Sequence, residues 1–262
     1  MKWPKIKITR GRQLLLLIVI ASIIGIVWVS VSYSAKNRVV SSIEIRHVSS
    51  DSIPLMNDDI LLKQIYKKHG NLIGRSAQEI NISLLESNLR RIDAIADVQV
   101  FVELNGTLKI KVLYRKPVVR VKNNQEQEFY IDGTGIKFML NTLNPQDVLP
   151  ASGFIPEPAI SGKVKTEEGK ELVILGTYVL THPLWDADFE QCHVDNNGEL
   201  ILIPRVGNHT IEIGNTDFLD EKLENLRAYY KNGLNKIGWN HYTQLILKYK
   251  NQVVAKPAVL KN

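Results

Sequence analysis

Residues 98–114 read VQVFVELNGTLKIKVLY, and Asn105-Gly106 divides them into two matching halves. Val98, Val100, Val102 and Leu104 alternate before that dipeptide, and Leu108, Ile110, Val112 and Tyr114 alternate after it. Period-two patterning on both sides of Asn-Gly predicts a β-hairpin joined by a two-residue turn. One face of such a hairpin is apolar and has to be covered. Upstream, Ile43 and Ile45 in SIEIRHV mark a further strand, and two amphipathic segments follow it. In DDILLKQIYKKH, Leu61, Leu62, Ile65 and Tyr66 share a helical face, with Asn57 as the N-cap, Asp58 and Asp59 in the first turn, Lys67 and Lys68 in the last, and Gly70 as the stop. In the second segment Ile82, Leu85, Leu89 and Ile92 form the stripe, Asn81 or Ser83 is the cap, and Ser83 with Glu86 has capping-box spacing. The order strand, helix, helix, strand, strand predicts a three-stranded sheet with both helices on one face.

Before this unit lies a run of a different kind. From Gln13 to Ala35, QLLLLIVIASIIGIVWVSVSYSA, 23 residues carry no charge and 13 of them are Leu, Ile or Val. As a helix the run reaches roughly 34 Å, enough to cross a hydrocarbon core of about 30 Å. Lys2, Lys5, Lys7, Arg10 and Arg12 precede it, which predicts that residues 1–12 are cytoplasmic and that the chain from Lys36 onward is outside. Trp3, Trp28 and Tyr33 sit near its ends, where amphipathic rings favour the headgroup region. A cleaved leader would share the basic start and the small residues Ser32, Ser34 and Ala35, but its apolar core spans about 7 to 15 residues, shorter than this one.

The whole-chain charge of +6 belongs to that tail. Five of the 33 Lys and Arg residues precede the run, leaving 28 against 27 acidic residues in the remainder, which excludes a nucleic-acid-sized basic surface. The single cysteine, Cys192, cannot form an internal disulfide. With its neighbour His193 it lies in FEQCHVD, where strand alternation sends the two side chains to opposite faces. The six histidines are scattered without metal-ligand spacing, and neither a phosphate loop nor a Gly-x-Ser-x-Gly elbow occurs.

After Pro117 strand signals continue. VVRVK, EFYI and IKFML are separated by NNQEQ and by Asp132-Gly133-Thr134-Gly135, a turn. Residues 144–158 are proline-rich and read as a surface connection anchored by Leu149 and Phe154. Thr166–Leu180 predicts a helix with Leu172, Leu175 and Val179 on one side, and FEQCHVDNNGELILIP a hairpin around Asn197-Gly198, with HTIEIG as a further strand. FLDEKLENLRAYYKNG is a helix through Leu219, Leu223, Leu226 and Tyr230, capped by Asp217 and closed by Gly233. TQLILKYK is then the last strand, its continuation running through Asn251, Gln252, Val253, Val254 and Ala255 to a polar end, KPAVLKN.

An apolar N-terminal run, a helix leading into DAIADVQV, the hairpin NGTLKIKV and the exit YRKPVVRV together resemble the FtsQ family, also called DivIB, with its POTRA domain. The family's Glu-Arg-x-Pro-Val-Ala exit is matched at Arg115, Pro117 and Val118, with Tyr114 in place of the Glu. LPASG and ISG echo its Leu-Pro…Gly segment, and its Asp-Leu-Arg-Tyr is met at Leu247 and Tyr249, with Lys248 for the Arg and Ile246 in place of the Asp.

The resemblance implies an α+β fold: a cytoplasmic tail (1–12), a single transmembrane helix (13–35), a POTRA domain of βααββ order (36–117), a mostly antiparallel β domain with flanking helices (118–255) and a polar tail (256–262). It implies a scaffold at the division septum of the cell inner membrane, without catalytic residues, metal or cofactor. Its partners would be FtsB- and FtsL-like division proteins and other divisome components, with neither nucleic acid nor a small-molecule substrate. Lys248, Tyr249, Val253 and Val254 on the last strand and its continuation are the expected partner contacts, because an edge strand offers unpaired N–H and C=O groups. Two alternatives are a membrane-anchored aspartic-type hydrolase using Asp132, whose DGTG loop has the wrong residue order, and a POTRA-bearing transport or assembly protein, which would show several such repeats or many barrel strands.

Overall fold

The structure is a computed structural model, and it describes residues 15, 17–28, 38–48, 54–139 and 144–258. Residues 17–28 are helical (α1) and exposed. Among the described residues no helix is long and apolar enough to cross a membrane, and the rest of the 13–35 run lies outside them. The chain divides into two compact units: Met1–Val48, Leu61–Leu89 and Val98–Val112 form one, and Ser49–Ile60, Arg90–Asp97 and Leu113–Asn262 the other.

The first unit contains β1 (Ser42–His47), most of α2 (Asp58–His69), nearly all of α3 (Ile82–Arg90), and most of the hairpin strands β2 (Ile95–Val102) and β3 (Thr107–Tyr114). Its sheet has the order β1-β3-β2. β1 runs parallel to β3 in the register Ser42↔Thr107 through His47↔Val112, so both strands begin at one end of the sheet. Alternation works as the sequence demands along β3, where Leu108, Ile110 and Val112 are fully buried. On α2, Leu61 and Ile65 face inward while Tyr66 is exposed. Asn81 caps α3, its Oδ1 accepting from the Leu84 N–H at 2.9 Å. Because α3 starts at Ile82, Ser83 and Glu86 fall inside the helix rather than at capping-box positions, and Glu86 Oε1 accepts from the Val100 N–H at 2.7 Å. The hairpin also departs from expectation at its tip. β2 stops at Val102, the turn spans Glu103 to Gly106, and Leu104 is 83 % exposed rather than continuing the apolar face.

The second unit is built on a ten-stranded sheet of order β13-β12-β11-β10-β9-β7-β4-β5-β6-β8. Its strands are β4 (Pro117–Lys122), β5 (Glu128–Asp132), β6 (Ile136–Met139), β7 (Leu149–Gly153), β8 (Gly162–Lys163), β9 (Phe189–Val194), β10 (Leu200–Pro204), β11 (Thr210–Gly214), β12 (Tyr242–Ile246) and β13 (Val254–Pro257). Most neighbours are antiparallel, but β4/β7, β7/β9 and β11/β12 are parallel. The segment read as a surface connection therefore contains a central strand: Leu149–Gly153 lies between β4 and β9. Pro150 hid it, because proline removes a ladder donor and argues against a central strand. Gly153, at φ 103°, is required there, since a Cβ would lie 2.2 Å from the Val194 carbonyl oxygen.

Helix α4 (Glu167–Thr181) starts where Thr166 Oγ1 accepts from the Gly169 N–H at 3.2 Å. It buries Leu172, Leu175 and Val179 in a core shared with Val119, Val121, Phe189 and Leu202. Gly176 lets the helix approach β4 closely: a Cβ would stand 2.5 Å from the Val118 carbonyl oxygen and 3.2 Å from Val119 Cβ. Helix propensity alone favours Gly176→Ala by about 1 kcal/mol. Overpacking against a strand that cannot retreat opposes it by about 1–3 kcal/mol. We expect a net loss, seen as a melting temperature lowered by a few degrees; an unchanged or raised value would contradict this packing.

Helix α5 (Pro183–Asp188) stacks Trp185 on Phe189, ring centroids 5.3 Å apart. Helix α6 (Leu219–Tyr229) buries Leu219, Leu223 and Leu226, then passes into a π-helical turn, Tyr230–Leu234. Asp217 does not cap it, since its Oδ2 accepts from the Asn215 side chain; the N-cap is Phe218, in a left-handed conformation with no side-chain cap bond. Gly233 falls inside the π turn rather than ending α6.

A candidate partner-binding edge

The last strand is two strands. Thr243–Lys250 was expected to form the edge, yet β12 ends at Ile246 and is paired on both sides, with β11 in parallel and β13 antiparallel. Asn251, at φ 59°, belongs to the turn that reverses the chain, and β13 lies outermost, Ile246 opposite Val254 and Leu245 opposite Ala255. Lys256 and Pro257, read from the sequence as the start of a polar tail, are part of β13 and pair with Gln244 and Tyr242. Among the described strands none lies beyond β13.

Strand geometry fixes which of its groups are free. The Ala258 N–H donates to the His241 carbonyl at 2.9 Å, so by alternation Lys256 and Val254 turn their backbone groups toward β12. Val253, Ala255 and Pro257 turn theirs outward, and the donor that Pro257 lacks is missing from the open side. Side chains alternate too: Val253 and Ala255 pack against the core, whereas Val254 (38 % exposed) and Lys256 face solvent.

Beside this edge Tyr249 is 51 % exposed and rims a cleft of about 270 Å³ with Phe218, Lys222, Leu247 and Asn251. Phe218 is 72 % exposed. In the sequence it only opens the helix FLDEKLENLRAYYKNG and carries no sign of a cleft residue; in the fold it is the left-handed N-cap, at φ 53°. Lys248 is engaged within the chain: its Nζ lies 2.7 Å from Glu199 Oε2 and pairs also with Glu212, which accepts from Gln244 Nε2 at 2.7 Å. The bonds that Lys248 donates to Glu199 and Glu212 hold the ammonium above lysine's usual range. A partner carboxylate would therefore meet a cation already shared by two acids, and Lys248 offers chiefly its stem.

The remaining chemical candidates fall elsewhere. Asp132 is 5 % exposed, and its Oδ1 accepts from the Thr134 N–H (2.9 Å), the Thr134 hydroxyl (2.6 Å) and the Ile136 N–H (2.9 Å), while Arg115 donates to Oδ2 at 2.9 Å. That carboxylate organises a turn. Cys192 is fully buried, and burial pushes its thiol up to about 12, which leaves it protonated and unreactive; His193 faces the other way and is exposed. His209 is 2 % exposed beside Tyr230 and Trp239, and burial lowers its pKa. Among the described residues no group of three His, Cys, Asp or Glu could hold a metal ion.

No curated protein matches the chain. Residues 116–256, more than half of it, match the family described as FtsQ/DivIB, C-terminal related, a stretch that opens one residue before β4 and ends within β13. It takes in the whole ten-stranded sheet except Pro257, together with the Tyr249 cleft and the open edge. On that match the chain belongs to the FtsQ/DivIB family of cell-division proteins.

Proposed function

We propose that the chain is a single-pass scaffold of the division machinery that recruits FtsB- and FtsL-like proteins, with no chemistry of its own. Residues 1–12 are cytoplasmic, 13–35 span the inner membrane, 36–117 form a POTRA domain, and 118–255 form the recruiting domain outside, at the septum. The exposure of the described α1 residues agrees with a lipid-facing helix, and the βααββ order with β1-β3-β2 pairing agrees with a POTRA domain. The observation that carries the reading is β13, an open strand at the end of a large sheet, beside an exposed tyrosine. A segment of a partner adds itself there as a further strand, main-chain bonds giving affinity and side chains selecting it. Tyr249, the stem of Lys248, and Val253 and Val254 are its contacts.

Ala255→Pro tests this directly. It deletes the central outward donor while leaving the bonds to β12, so co-purification of the FtsB-like partner with the full chain from membranes should fall about tenfold at an unchanged melting temperature. Wild-type recovery of the partner would count against the edge, and a fall in melting temperature of matching size would mean that the strand serves only the fold.

A further inference from the structure

We propose that the tip of the β2–β3 hairpin is a lipid-contacting finger, seated in the headgroup interface of the membrane that holds residues 13–35; this rests on the reading of that run as a retained span. Leu104 is the most exposed large apolar side chain among the described residues, at 83 %. In the turn from Glu103 to Gly106 the positive φ falls on Gly106, and position 104 tolerates most residues, so a solvated leucine there gains nothing in folding. Beside it, Phe101, Val102 and Leu104 line a shallow cleft of about 470 Å³ with Arg38, and Val39 adjoins it, 53 % exposed.

Topology places this tip where the chain arrives. Parallel pairing sets Ser42 opposite Thr107, so β1 begins at the turn end of the hairpin. The Ser41 N–H donates to the Gly106 carbonyl at 2.9 Å, and a Cβ on Gly106 would stand 2.6 Å from the Val39 carbonyl oxygen, so the turn is held against residues 39–41. Only two residues, Lys36 and Asn37, separate Ala35, the end of the apolar run, from Arg38, and the three Cα steps reach roughly 10 Å. That leash is comparable with the headgroup layer, so the finger cannot leave the neighbourhood of the bilayer.

The charge suits an anionic surface. Glu103, the acid lining the cleft, is neutralised by Lys109 Nζ at 2.6 Å, and Lys111 Nζ lies 5.2 Å from the Phe101 ring centroid, which leaves Arg38 to meet phosphate. An apolar tip with an arginine beside it suits the headgroup interface.

The test is fluorescence from the full chain in phosphatidylcholine/phosphatidylglycerol vesicles. Leu104→Cys carries an environment-sensitive dye, and the fully buried Cys192 leaves the new thiol as the reactive one. Ile160→Cys, at a 68 % exposed position of the second unit, is the comparison. We expect the Leu104 dye to be blue-shifted and quenched by lipid bearing a headgroup nitroxide, and the Ile160 dye to be neither. Protein that resists carbonate extraction while the two dyes behave alike overturns the finger and leaves the span standing. A blue shift without quenching by lipid means that a protein surface covers the tip, and overturns it too. Release of the chain by carbonate overturns the span, and the finger with it.

Discussion

Tyr249→Ala should weaken capture of the proposed FtsB-like partner at least thirtyfold, equivalent to about 2 kcal/mol or more of binding, while the melting temperature stays close to wild type. The contrast follows from where the ring sits. Half exposed at the rim of the cleft, it contributes little to the core, and surface substitutions of that kind change stability by about 0.5 kcal/mol or less. A partner that covers the ring would bury its face against Phe218 and Leu247 and desolvate an aromatic anchor. Arg90→Ala, on α3, should leave binding unchanged. Partner titration of each variant beside its thermal melt separates the outcomes: wild-type affinity for the tyrosine variant refutes the contact, and a joint loss of affinity and melting temperature assigns Tyr249 to packing.

Lys137→Met should cost about 3–5 kcal/mol of stability, the largest single effect expected in the second unit. Lys137 is 3 % exposed and Glu157 0 %, and their Nζ–Oε1 distance is 2.5 Å. Lys137 also donates to the Pro158 carbonyl at 2.9 Å. Glu157 Oε2 accepts from the Lys165 N–H, the Thr166 N–H and the Thr166 hydroxyl, each at 2.9 Å, which ties the approach to α4 onto β6. Burial raises the carboxyl's pKa, but the bonds from Lys137, Thr166 and Lys165 outweigh it, and the net shift is downward from 4.5. A depressed folded pKa contributes stability that is complete above 4.5 and is lost as pH falls through the folded value. Without Lys137 the burial effect gains, the carboxyl takes up a proton more readily, and the variant recovers relative to wild type in acid. Urea midpoints across pH should therefore show a gap that is widest near neutrality and narrows below about 4.5. A gap independent of pH would mean that lost packing, rather than an unpaired carboxylate, causes the defect.

Wherever chemistry and position were local, the chain could be read. The alternation of Leu108, Ile110 and Val112, the Asn197-Gly198 hairpin and the helical stripe of Leu172, Leu175 and Val179 each depend on residues within a few places of one another, and each formed as the pattern demanded. Leu149–Gly153 could not be read because its strand character comes from neighbours on β4 and β9, while its own proline argues for a loop. The candidate site lay at the limit of legibility. Tyr249 and Val254 are conspicuous as an aromatic and a β-branched residue near the end of the chain. That the edge is β13 rather than β12 depends on the reversal at Asn251, and the pairing of Lys248 depends on Glu199, 49 residues upstream, and on Glu212. Phe218 gave no signal, because the cleft it rims is completed by Leu247 to Asn251, far along the chain. The buried Lys137–Glu157 pair, 20 residues apart, was equally invisible, since a charge run shows composition and not the partner.

Amide hydrogen exchange at single residues of the full chain, free and with the FtsB-like partner, tests edge pairing most directly. In the free protein the outward Val253 and Ala255 amides should exchange rapidly, while the Val254 and Lys256 amides, bonded to β12, exchange slowly. Partner binding should slow Ala255 and Val253 and leave Val254 and Lys256 as they were. An Ala255 amide that exchanges as fast in the saturated complex as in the free chain would contradict strand addition at β13.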